Sequence, residues 1–170
     1  MAANTFQLIS STILKSSSSS ITFLSIPNTY TDLVLRSSAR NTGSSGYGLM
    51  ATYNSTTSGY SGTYIEGNGT IASGAWLSGS SSAQVGLLSL STHTANTFSN
   101  NEIYIPNYNV SQQKPSFAWM TTENNASLSY GDFIANLWAN TAAITSITLA
   151  PAASSFDVGS SFYLYGISKS

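Results

Sequence analysis

Few of the 170 residues can carry chemistry, and their spacing narrows what that chemistry would be. A nucleophilic triad needs a base, and His93, in Ser91-Thr92-His93-Thr94, is the single histidine. No Gly-x-Ser-x-Gly elbow presents a serine to it, so it reads as a loop-edge histidine among hydroxyls. Cysteine is absent, which removes thiolate nucleophiles, disulfides and thiolate zinc sites together. Glycoside hydrolysis asks for two carboxylates flanking a bond. Asp32 and Glu102 each open an apolar run, Glu66 sits in the turn sequence Glu66-Gly67-Asn68-Gly69, and Glu123 precedes Asn124-Asn125. Asp132 precedes Phe133, Asp157 stands before the last apolar run, and no two of the six carboxylates are grouped. Glu123, Asn124 and Asn125 with a distant Asp157 make a poor calcium set, and a plain Asn-rich turn is the better reading. The expectation is a protein without catalytic residues, metal or cofactor.

One positive signal concerns binding. Residues 41–82 hold nine of the 13 glycines together with Tyr47, Tyr53, Tyr60, Tyr64 and Trp76, and only one charge, Glu66. Tyr, Ser, Gly and Asn together compose adaptable binding loops, in which rigid amphipathic rings stand among small polar groups. Tyr60, Tyr64 and Trp76 are therefore the candidate surface-binding aromatics, although the same rings could simply pack the edges of a small sandwich. The segment reads as irregular loops and short edge strands inserted in one domain that spans 1–170.

Short strands must position these residues. Apolar runs are broken every 8 to 15 residues by Gly, Pro, Asn or Ser clusters, the pattern of an antiparallel β-sandwich of about ten strands. Phe6 to Leu14 and Ile21 to Ile26 read as a hairpin around the serine run Ser16 to Ser20. Leu33-Val34-Leu35 and Gln84 to Leu90 look covered on both faces, as does Phe162 to Ile167. Glu102 to Ile105 is a strand closed by Pro106, and Ile144 to Leu149 sets Ile147 and Leu149 on one face. Phe117 and Trp119 alternate with Ala118 and Met120, which predicts Trp119 between the sheets. Phe133, Ile134, Leu137 and Trp138 recur with a helix-like spacing, but their neighbours favour a strand.

Composition bounds the class. Only 6% of residues are charged, where about 25% is usual, and 34 serines and 19 threonines take their place. With 41% hydrophobic residues and 20 aromatic ones the chain is too apolar for a disordered segment, and strong helix formers are too scarce for an all-helical protein. No cation falls between Arg40 and Lys114, which argues against nucleic-acid binding. A net charge of −1 offers little repulsion between copies, so a component of an assembly, with homo-oligomers possible, is expected. No run of 18 apolar residues and no cationic, apolar leader occurs, so neither membrane insertion nor export is expected. A surface rich in hydroxyls on a protein left in the cytoplasm suits a virus particle released by lysis.

Particular strings then become telling: SSITFLSIPNTYTDLVLRSSAR at 19–40, ANTFSNNEIYIPNY at 95–108, KPSFAWMTTENNA from Lys114, LWANTAAITSITLAP at 137–151 and SFYLYGIS at 161–168. With these the chain resembles a family of small structural proteins of tailed bacteriophages, frequent in marine phages including those of cyanobacteria. The likeness is weakest from Gly43 to Ser82. It implies a jelly-roll-like β-sandwich displayed on the virion, a decoration or knob protein whose partner is the major capsid protein or another virion protein. A tail-fibre or adhesin domain holding a host surface glycan is the alternative. The strings are strand and turn patterns and carry no binding or catalytic residue over.

Overall fold

The computed structural model describes residues 5–124 and 129–168, and Asn125 of the Asn124-Asn125 turn lies outside them. Twelve strands and no helix occur among the described residues. One antiparallel sheet has eight strands in the order β1 (Phe6–Ile13), β12 (Ser161–Ile167), β3 (Asp32–Ala39), β8 (Ser99–Pro106), β9 (Lys114–Thr122), β10 (Tyr130–Trp138), β5 (Tyr60–Gly67) and β6 (Ala72–Ser80). The other has four: β2 (Ile21–Phe23), β11 (Ile147–Pro151), β4 (Gly48–Tyr53) and β7 (Ala83–Leu87).

Removing two hairpins exposes the plan. Without β5–β6 and β9–β10, eight strands remain, and the first pairs with the last, the second with the seventh, the third with the sixth and the fourth with the fifth. Nested pairing of this kind is the jelly roll. Both inserted hairpins add to the same edge of the larger sheet, beyond β8, so that sheet overhangs its partner.

Alternation supplies the core. Leu33 and Leu35 of β3 point inward with Ile103 and Ile105 of β8 and Phe162 and Leu164 of β12, against Leu49, Val85 and Leu149 of the smaller sheet, all buried. Val34 is buried on the opposite face because its register partners are Tyr104 and Tyr165. The expected strand at Phe133 to Trp138 is present within β10. At its inner end Trp138 stacks on Tyr60 at 6.2 Å and meets the Tyr53 ring edge-on at 5.5 Å.

Twelve strands stand where about ten are expected, and three expectations are corrected. Residues 41–82 contain three regular strands, β4, β5 and β6, rather than irregular loops and short edge strands. Their glycines lie in the strands themselves as well as in the turns between them, so composition alone suggests loops. The serine run does not close a hairpin: β1 and β2 belong to different sheets, and the run crosses between them, with Ser18 and Phe156 exchanging backbone hydrogen bonds of 3.2 and 2.8 Å. Trp119 does not lie between the sheets. Ser116, Ala118 and Met120 face inward under β7, while Phe117 and Trp119 face out, Trp119 with 56% of its surface exposed. Both alternating sets of β9 are apolar, so a period of two cannot say which set is inside.

Buried cations hold the loops. The Arg40 guanidinium donates to the carbonyls of His93, Thr94 and Thr97 at 3.1, 3.0 and 2.8 Å and lies 3.9 Å from Asp157. Lys114, fully buried, donates to the carbonyls of Val110, Gln112 and Thr141 and so ties two loops together.

Candidate functional site

Titratable groups come first, since they would carry any catalysis. His93 lies in the loop between β7 and β8 and is buried there; its ring lies 5.8 Å from that of Tyr47, and neither ring nitrogen has a hydrogen-bond partner. Burial, and secondarily the charge of Arg40, lowers its pKa, which favours the neutral imidazole. Among the described residues no carboxylate hydrogen-bonds to it to orient it as a base. Pairing of β5 with β10 sets Asp132 opposite Glu66, a grouping that sequence spacing hides. Asp132 is buried with both carboxylate oxygens unpartnered, and desolvation, aided by Glu66, pushes its pKa up to about 6. No group of three or more metal-ligating side chains occurs among the described residues.

The three expected binding aromatics do not come together. Tyr60 is buried in the core, where its hydroxyl accepts a 2.8 Å hydrogen bond from the Tyr53 backbone N–H and donates to the Thr56 carbonyl. Tyr64 is half-buried against the core. Both lie on the inner face of β5, whereas Trp76 stands on the outer face of β6, 75% exposed and opposite Thr63. Alternation along β5 puts residues 60 and 64 on one face, so a strand assignment there would have paired them; reading the segment as loops concealed it.

Exposed aromatics gather elsewhere, on the outer face of the eight-stranded sheet. Register lines up Tyr163, Arg36, Glu102, Trp119, Phe133 and Ile65 across six strands. Trp119 meets Phe133 edge-on at 5.0 Å, Phe117 stacks on Phe133 at 6.0 Å, and Tyr104 reaches Phe117 at 5.2 Å. These rings brace one another on a rigid sheet, which holds an apolar patch in water. On its flank Arg36 donates through Nε to Glu102 at 2.6 Å and lies over the rings of Phe6 and Tyr165 at 5.8 and 5.9 Å.

Between the ion pair and the indole lies a shallow cleft of about 300 Å³, lined also by Asn100 and Thr121, which are register partners. The pair makes this cleft polar yet neutral. Sequence reasoning missed the site because its row comes from six strands; the signal was the double apolar alternation of β9, which one solvent-facing set must satisfy. A scan of protein-family models finds no match for this chain, and a search of curated proteins finds none.

Proposed function

We propose that the protein is a non-enzymatic structural subunit of a virion, a decoration protein on the head of a tailed phage. In this reading the aromatic outer face of the larger sheet seats on the major capsid protein. The observation that carries the reading is that face: Trp119 and Phe133 exposed and packed with the half-buried rings of Phe117 and Tyr104, with one ion pair at the rim. Protein interfaces draw most of their affinity from such aromatic anchors. The likeness to phage structural proteins and the scarcity of charge support the same partner. Densitometry of purified particles checks it: the reading expects on the order of the major capsid protein's copy number and loss of occupancy in a Trp119→Ala/Phe133→Ala double variant that remains folded, its melting temperature lowered by only several degrees. A few copies per particle would sink it.

A second reading, a tail-fibre or adhesin domain holding a neutral glycan, is favoured by the cleft beside Trp119. A pyranose can lay its C–H face on an indole while its hydroxyls meet the free guanidinium N–H groups, the carboxylate and the Asn100 amide. Titration with neutral oligosaccharides of glucose, galactose and mannose, followed by tryptophan fluorescence, separates the two. Saturable quenching lost in Trp119→Ala would select the glycan.

A further inference from the structure

We infer that two copies of the chain associate through β6, their edges pairing antiparallel about Ala75 so that two eight-stranded sheets become one. The inference stands apart from what the aromatic face binds. β6 ends its sheet, bonded only to β5, and seven of its nine residues are exposed, the other two half-buried. The strand is thus ordered without burying a side chain of its own, and ordering a chain segment has an entropic cost that burial normally offsets. Trp76 and the adjoining Ile71 remain 75% and 65% exposed beside this edge.

Free edges are normally blunted by charge, proline or a bulge. From Ala72 to Ser80 there is neither a charged residue nor a proline, and from Ala72 to Leu77 the ladder to β5 is unbroken. The opposite edge, β1, has its register shift in mid-strand, between Leu8 and Ser10, whereas the shift in β6 falls past Leu77, outside the pairing segment. Of the two ends of the large sheet, β6 is therefore the one open to another strand.

The occupant is a second copy because the segment complements itself. A two-fold axis through Ala75, perpendicular to the sheet, sets Ala75 against its mate, Gly74 against Trp76 and Ser73 against Leu77. Opposed residues share a face in this arrangement, as one continuous sheet requires. Gly74 and Trp76 both stand on the outer face, so each indole covers the bare backbone of the partner's glycine. Self-pairing of a charged strand would oppose like charges, and this segment has none.

Cysteine supplies a clean probe, since the chain contains none. Residues directly opposite in an antiparallel pair have Cα atoms about 4.5–5.5 Å apart, within disulfide range. Sedimentation of the full chain over a wide concentration range should approach twice 17.9 kDa. Ala75→Lys places two ammonium groups face to face and should leave a monomer with an unchanged melting temperature. Oxidised Ala75→Cys should run as a dimer that reductant returns to monomer. A wild-type chain monomeric at every concentration, a dimer that survives Ala75→Lys, or a dimer that Ala75→Cys does not trap would each overturn the inference. Should Ala75→Lys misfold, the cysteine variant still decides.

Discussion

At the scale of single residues, two tryptophans separate packing from display. Trp138 is buried among Tyr53 and Tyr60, and Trp119 stands outside the sheet. Trp138→Ala should therefore cost about 3–5 kcal/mol in urea unfolding, as large core truncations do, and Trp119→Ala about 1 kcal/mol. Equal losses would show that the two faces of the sheet are assigned wrongly. Tyr60→Ala belongs with the core group, so it reports folding and cannot test attachment. Asp132 supplies the pH dependence. Its folded pKa, about 6, lies above the ordinary 3.8, so the folded state holds the proton more tightly. The resulting destabilisation is absent below about pH 4, grows as pH rises through 6, and is complete above it. Asp132→Asn should raise stability at pH 7 by on the order of 1–3 kcal/mol, raise it little at pH 4, and flatten the profile between. An unchanged slope in unfolding experiments from pH 4 to 7 would mean that the carboxylate is solvated.

At the scale of elements, strand existence was legible and strand facing was not. The runs at Leu33, Glu102, Phe117, Phe133 and Phe162 fall within strands, and that from Gln84 does so as far as Leu87, because β-branched and aromatic residues between turn formers leave a pleated sheet as the way to bury them. What one sequence could not show is non-local: which apolar set of β9 faces β7, that the serine run crosses between sheets, and that Asp132 meets Glu66 across a ladder. The aromatic site inherits this illegibility, since its rows are assembled by register. β7 illustrates a constraint visible only in three dimensions. Its bulge brings Gly86 so close to Asn101 that a Cβ there would lie 1.9 Å from Oδ1, inside van der Waals contact. Gly86→Ala should cost about 1–3 kcal/mol, and pairing it with Asn101→Ala should recover part of that loss in a double-mutant cycle. Strict additivity would indicate that β7 moves away freely.

At the scale of the whole molecule, charge is nearly absent from where it could act at a distance. Arg40 and Lys114 are buried on backbone carbonyls, and Arg36 is matched by Glu102. A partner must then be held by apolar contact and neutral hydrogen bonds, which salt does not screen. Pairing through β6 would place both aromatic faces on the same side of a two-fold, so each dimer would engage a particle through two patches, and release would require both to let go. If the protein decorates a virion as proposed, it should accordingly stay on purified particles through a wash at about 1 M salt, where the Debye length is about 3 Å. Ala75→Lys, which leaves the aromatic face intact, should raise the fraction released by dilution without making release depend on salt. Dissociation of the wild-type protein that rises steeply with ionic strength would refute attachment through this neutral face and direct attention to the few surface charges instead.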